Sequence, residues 1–355
     1  MVSEDAARVL HAVREQLARY PALEERRALV ESLDENHLRL LPRTALAVIT
    51  PDGLAQGVHR RFLADLGTYV IAYRFRTLSQ QDAERLYQDG LTTGVPGRHI
   101  TAWWIKKCVF DLGEALVLLL RHPTDESFQT TVTRAKGASD PTLARAGTYR
   151  EIYRTPNKTF ALMHSSDDMI SLLHEVGILF APTSPAELLD RPPWNEIVRA
   201  TVSGYRSTVE LRRMEQYRAL YRLKRRLLLE LASRNNLPVS LVGRLSALYE
   251  RAGEVIDSDP GFVAESEAVK LLLQEEHEVL DTLPTPPARN HSQDDEEFVT
   301  AVATAGLRTL TAQSAVSPED FSRFTKLLSH VGISLDALET TLLESHFFFR
   351  PKEPT

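Results

Sequence analysis

The chain has 355 residues, 43% hydrophobic and 25% charged, a balance that excludes both a disordered chain and a membrane-embedded one. Its 42 Lys and Arg against 48 Asp and Glu leave a formal charge of -6, which argues against general affinity for nucleic acid or anionic lipid. The longest apolar run, Ala115 to Leu120, is too short to span a membrane and the opening Met1 to Asp5 is acidic, so the expectation is a cytoplasmic protein.

Ala6, Val9, Leu10, Val13 and Leu17 recur at amphipathic-helix spacing with Pro21 as a stop, and Leu23, Leu29, Val30 and Leu33 predict a second helix. Ala45 to Ile49 predicts a first strand, Pro51-Asp52-Gly53 a turn, and Val58, Phe62, Leu63 and Leu66 a helix. Tyr69 to Phe75 predicts the second strand, followed by a helix capped by Ser79 and another around Trp103 and Trp104. Ala115 to Leu120 predicts the third strand, Asp125 to Arg134 a helix, and Thr159 to Met163 the fourth strand; Ser165-Ser166-Asp167-Asp168 then opens a helix to Val176. This order predicts an α+β fold, a ferredoxin-like four-stranded antiparallel sheet covered on one face by helices.

Beyond Pro193 no strand is predicted. Tyr205 to Ala232 and Ala264 to Leu283 carry helical periodicity, and the Pro-rich then acidic stretch over 283–297 reads as a linker. Two more helices follow, one capped by Ser317-Pro318-Glu319-Asp320 and one starting at Ser334. The expected organisation is an N-terminal helical segment over 1–39, a sheet domain over 40–198 and an all-α region over 199–355. Phe347, Phe348 and Phe349 cannot share one helix face and are expected to pack on another domain or subunit.

Common nucleotide and metal signatures are absent: no G-x-x-x-x-G-K-[ST], no G-x-G-x-x-G, and no second histidine at zincin spacing after His174-Glu175 or His277-Glu278. One cysteine, Cys108, excludes an internal disulfide and a thiolate metal cluster and reads as a structural thiol. The informative stretch runs from Lys136-Gly137-Ala138-Ser139-Asp140-Pro141 through Gly147-Thr148-Tyr149-Arg150 to His164-Ser165-Ser166-Asp167-Asp168, with Glu175 beyond it. It joins a phosphate-friendly loop, an arginine and a histidine at a strand end.

This span resembles the nucleoside diphosphate kinases, whose pattern is K-G-x-[TS]-x-P, P-G-T-x-R and N-x-[IV]-H-G-S-D-S with a glutamate eleven residues after the histidine. Thr50-Pro51-Asp52-Gly53 is similar to that family's K-P-D-G turn, Glu84-Arg85-Leu86-Tyr87 to its tyrosine-bearing helix, and Glu175 to Pro182 with Glu187-Leu188-Leu189-Asp190 to its downstream segments. About residues 40 to 198 are covered. The resemblance implies that His164 attacks the γ-phosphate of a nucleoside triphosphate carried with Mg2+ and passes it to a diphosphate, while Glu175 fixes its tautomer. An imidazole of free pKa about 6.5 keeps an unprotonated nitrogen near neutral pH. The same resemblance places Arg150 on the transferring phosphoryl, Ser139, Thr133, Arg134, Ser165, Ser166 and Thr50 around the phosphates, and Tyr87 beside the histidine. It has the helix beginning at Ser166 offer backbone donors to the anion. It implies no protein-held metal and a homo-oligomer.

The departures fall on phosphate and sugar contacts. Thr50 replaces the K-P-D-G lysine, Ala161 the asparagine before the histidine, Thr133 the first phosphate-binding arginine and Ser165 a glycine. A lysine 4 Å from a phosphate contributes roughly 1 to 4 kcal/mol depending on the local dielectric. Arg98, Lys106, Lys107 and Arg134 are the nearby cations in the sequence that could supply it. Two readings follow: a diverged phosphotransferase acting on a nucleotide or another phosphorylated small molecule, or a catalytically silent binding or assembly module. A third reading has Arg212, Arg213, Arg218, Arg222, Lys224, Arg225 and Arg226, interleaved with Tyr205, Tyr217 and Tyr221, bind a nucleic acid or phosphorylated partner. The competing view is a helix whose arginines are solvated or paired with Glu210, Glu215 and Glu230.

Overall fold

The structure is a computed structural model that describes residues 4–18, 24–88, 102–140, 143–155, 157–209, 216–233, 237–258, 267–282, 296–311 and 316–349. The chain divides into two units, Met1–Glu210 and Leu211–Thr355. Arg98, Arg212, Arg213 and most of the expected linker lie outside the described residues.

Unit one opens with α1 (Glu4–Leu17), α2 (Glu24–Glu31) and α3 (Glu35–Leu40); Ala6, Val9 and Val13 form the buried stripe of α1 and an Asp34–His37 capping box starts α3. Strand β1 (Thr44–Ile49) leads into α4 (Pro51–Ala55), and Gly57, at φ +76°, separates α4 from α5 (Val58–Leu66). The expected Pro-Asp-Gly turn is therefore a first helical turn, with Pro51 where its missing N–H costs nothing. Next come β2 (Val70–Thr77), α6 (Gln80–Leu86) with a Ser79–Asp82 capping box, α7 (Trp103–Phe110) and β3 (Glu114–Arg121). They are followed by α8 (Phe128–Lys136), α9 (Tyr149–Ile152), β4 (Met163–Ser165), α10 (Met169–Leu179), α11 (Pro185–Leu189) and α12 (Glu196–Ser203).

The sheet order is β2-β3-β1-β4 with every pair antiparallel, the ferredoxin-like arrangement. Both faces are covered, not one. Leu46, Val48, Val117 and Leu119 pack with α1, α2, α3, α6, α10 and α11 residues such as Val13, Leu38, Leu86 and Leu173. Ala45, Ala47, Ile49, Leu116 and Leu118 pack with Val58, Phe62, Phe128, Val132 and Val202 from α5, α8 and α12. That double burial explains why β1 is apolar on consecutive residues rather than alternate ones.

The fourth strand lies later and is shorter than expected. Asn157 Oδ1 accepts the Thr159 and Phe160 N–H groups in a turn, and the Leu162 N–H goes to a side chain, so only Met163–Ser165 joins the ladder. Tyr205 is likewise outside the long helix expected for it: it stacks on Phe75 with ring centroids 4.2 Å apart and donates to Glu114 (2.6 Å).

Unit two, among its described residues, is all helix: α13 (Gln216–Ser233), α14 (Val239–Ser258), α15 (Glu267–Asp281), α16 (Glu296–Thr311), α17 (Pro318–His330) and α18 (Ala337–Phe348). Helix α18 starts after its Asp336 cap rather than at Ser334, because Asp336 and Glu339 complete a capping box. Phe347 is buried against Phe321 within this unit. No described helix is long and apolar enough to cross a membrane.

Candidate active site

Strand β4 sets His164 opposite Val48, whose side chain belongs to the layer beneath α6 and α10. Glu175, two turns into α10, meets it: His164 Nε2 lies 2.8 Å from Glu175 Oε2, and Ser166 Oγ donates to the same oxygen at 2.7 Å. With Nε2–H donating to a carboxylate, the imidazole keeps the tautomer whose Nδ1 carries a free lone pair. The histidine side chain is 15% exposed and Glu175 only 5%, so the ring is mostly buried yet still reached by solvent. The Tyr87 ring packs edge-on at 5.1 Å, and burial, then the Glu175 charge, pushes its phenol well above the ordinary range.

The backbone ahead of His164 is strained. Leu162 has φ +64°, a left-handed conformation that a residue with a side chain holds only under constraint. The segment after β1 supplies it: Asp52 Oδ2 accepts the Leu162 N–H at 2.9 Å and the Thr50 N–H donates to the Leu162 carbonyl at 3.1 Å. A Cβ on Gly53 would sit 2.0 Å from that carbonyl oxygen, so only glycine fits. Burial raises the Asp52 carboxyl above its usual value, against the Thr50 hydroxyl and the Leu162 amide.

Arg150 braces the other side. Its Nε donates to the Ala161 carbonyl (2.8 Å), Nη1 to Gly137 (2.7 Å) and Nη2 to Met163 (2.7 Å). Three of its five N–H groups are thus spent on backbone, making it first a clamp on the His164 segment, with two left for an anion. Burial lowers its pKa to about 10.

The other sequence-derived residues scatter. Ser165 projects from the opposite side of β4 to His164, where its Oγ lies 3.1 Å from Thr133 Oγ1. Ser139 and Arg134 are exposed, and Thr50 is buried and contributes its backbone. Helix α10 begins at Met169, not Ser166, and Asp168 caps it by accepting the Ser171 N–H (2.8 Å), which replaces the expected anion at that end. Lys107 pairs with Glu84 at 3.2 Å.

Lys106 points the other way from Lys107, with Nζ 5.0 Å from the centre of the Tyr87 ring. Lys136, buried at the end of α8, directly precedes the Gly137 whose carbonyl holds Arg150. Burial followed by the Arg150 charge lowers both lysines to about 8. The sequence offers Asp52 and Gly53 only as part of a turn and Lys136 only as the first residue of a phosphate-friendly loop; in the structure Asp52 and Gly53 hold the Leu162 backbone. Among the described residues no group of three or more His, Cys, Asp or Glu is placed to hold a metal ion.

Among the described basic residues of α13 only Lys224 is buried; Arg218, Arg222 and Arg226 are half-buried and paired, and Arg225 is exposed. Arg218 pairs with Asp257, Arg222 with Glu339 (3.2 Å), and Tyr217 and Tyr221 are buried, so the aromatics are not available for base stacking. The partners of Arg218 and Arg222 lie on other helices of the unit, and Glu210 and Glu215 lie outside the described residues.

No protein-family profile and no curated protein matches the sequence. Solved structures do. A nucleoside diphosphate kinase family protein from Babesia bovis is 16% identical with TM-score 0.34, covering 45% of this chain and 99% of that one. A nucleoside diphosphate kinase from Halobacterium salinarum in complex with CDP is 17% identical (TM-score 0.35, 45% and 97%), and one from Borrelia burgdorferi with vanadate and ADP is 20% identical (TM-score 0.33, 39% and 87%).

Proposed function

We propose that the first unit is a diverged nucleotide-dependent phosphotransferase working through a phosphohistidine at His164. The observation that carries this reading is the 2.8 Å contact between His164 Nε2 and the buried Glu175, which in turn is held by Ser166. The lone pair of Nδ1 attacks the γ-phosphorus of a nucleoside triphosphate, the bond from that phosphorus to the β,γ-bridging oxygen breaks, and the diphosphate leaves. Glu175 stabilises the positive charge that the ring gains as the N–P bond forms. An acceptor oxygen then takes the phosphoryl and returns the neutral imidazole. Mg2+ would arrive with the triphosphate as part of the substrate, bound through phosphate oxygens.

The test is incubation of the full chain with γ-labelled ATP and Mg2+. Acid-labile, alkali-stable label on wild type that disappears in His164→Ala is the expected result. Glu175→Gln should label at least tenfold more slowly, because an amide cannot offset the imidazolium charge. Absence of label with each of the common nucleoside triphosphates would remove the catalytic reading and leave a nucleotide-binding module. That second reading draws support from Arg150, whose contacts serve the backbone.

A further inference from the structure

Two lysines beside His164 have no acceptor among the described residues. Lys136 is 9% exposed, yet among the described residues its ammonium makes neither a hydrogen bond nor an ion pair. Lys106 is half-buried and its contact is the face of Tyr87, the same ring that packs on His164. Arg150 links them in space: its Nη1 is tied to the residue after Lys136 and its Nη2 to the residue before His164. The carboxylate at the centre, Glu175, is already shared by His164 and Ser166. A buried cation without a partner carries a desolvation penalty, and such groups persist where a ligand supplies the counter-charge.

We infer that Lys106 and Lys136 are the phosphate-binding pair of this site, receiving the oxygens of a linear polyphosphate and standing in for the cations missing at Thr50 and Thr133. The ligand class is a polyphosphate chain, free or esterified to a nucleoside. This rests on reading the surroundings of His164 as a phosphate-handling site. The depressed pKa of each lysine agrees with it, since each feels Arg150 and an incoming anion would relieve that repulsion. The positions also make chemical sense. Lys106 approaches from α7 and Lys136 from α8, so the pair can contact one anion from two elements.

Isothermal titration of the full chain with inorganic tripolyphosphate, without Mg2+, tests this apart from catalysis. Wild type is expected to bind, and Lys106→Met and Lys136→Met each to weaken binding by about tenfold or more. Lys107→Met, which removes a cation paired with Glu84 one position along the same helix, should leave affinity unchanged. Circular dichroism verifies that each variant folds, and methionine suits these positions because it keeps the side-chain length without the charge. Failure of wild type to bind tripolyphosphate, or wild-type affinity in either Lys106→Met or Lys136→Met, overturns the inference. Labelling from ATP run in parallel separates the two claims: label without loss of affinity sinks the lysine pair alone, whereas lost affinity without label keeps the pair and removes phosphoryl transfer.

Discussion

Each unit of this chain buries a lysine, and the two are treated in opposite ways. Lys224 in α13 is fully buried and ion-paired to the equally buried Glu276, whose other oxygen accepts from the Tyr249 hydroxyl at 2.8 Å. Its ammonium also lies 4.8 Å from the centre of the Tyr221 ring. Lys136 is buried with no acceptor among the described residues. A charge satisfied from within is part of the scaffold; one left open is a statement about what binds. Because desolvation penalises a buried charge and a partner offsets it, the difference should appear as opposite responses to the same substitution.

The largest effect is expected at the satisfied pair. Lys224→Met leaves Glu276 charged in the core with Tyr249 as its one remaining donor among the described residues, and breaking such a pair costs about 3 to 5 kcal/mol. Denaturant unfolding of unit two's transition reads it, and Lys224→Met combined with Glu276→Leu should recover most of the loss. Lys136→Met, by contrast, removes an unpaired cation and should leave the ligand-free protein as stable as wild type or more so. A large loss there would mean that the lysine is structurally paired after all, and the contrast between the units would fail.

Gly53→Ala comes next and tests the brace around the strained residue. The added methyl cannot coexist with the Leu162 carbonyl 2.0 Å away, so either α4 or the Leu162 kink must move. Overpacking of this kind costs about 1 to 3 kcal/mol. The kink lies two residues before His164, so under the proposed function labelling from γ-labelled ATP should fall far more than stability does. Equal labelling in Gly53→Ala would show that the kink does not position the ring.

That brace marks the boundary of what sequence could tell. Strands β1 and β3 were legible because consecutive apolar residues in short runs have few other uses. The fourth strand was misplaced because Phe160-Ala161-Leu162-Met163 reads as one more apolar run, while its path is decided by Asp52, more than a hundred positions away. Ordered motifs, which record relative position along the chain, single out His164, Glu175 and Tyr87, and the structure brings these three side chains into contact around the imidazole. Motif matching also suggested Arg150 as a phosphate ligand, and could not show that its guanidinium is turned to three carbonyls. Lys136 stands in the sequence as the first residue of a phosphate-friendly loop, but its burial is not legible there: a lysine in the last turn of a helix ordinarily serves the helix dipole from solvent, and burial is a tertiary property.

A change of pH should separate the lysines without any loss of fold. Lys106 faces Arg150, Lys136 and Asp52, and Lys136 faces Arg150, Asp167 and Glu175. Both folded pKa values are lowered to about 8 from an ordinary 10.5, so between those values the unfolded chain binds more protons than the folded one. These groups therefore make the ligand-free protein gain stability as pH rises through that window, and their penalty is fully present below it. Anion binding runs the other way, because deprotonated lysines attract no phosphate. The affinity gap between wild type and Lys106→Met for tripolyphosphate should narrow from pH 7 to pH 9; a gap independent of pH would mean that Lys106 is not the titrating contact.

The smallest effect concerns charges that are neither buried nor open. Arg222 and Arg226 reach Glu339 from α13 at 3.2 and 3.7 Å, with both arginines substantially exposed and Glu339 12% exposed. Water screens such pairs, so Arg222→Ala should cost only about 0.2 to 1 kcal/mol. Raising salt should shrink that difference further. Retention on a polyanion column should not change either, since the guanidinium already has an acidic partner within its own unit. A salt-sensitive loss of retention in Arg222→Ala would instead make the helix face a docking surface for anions, and the division between satisfied and open cations would then have to be drawn within unit two as well.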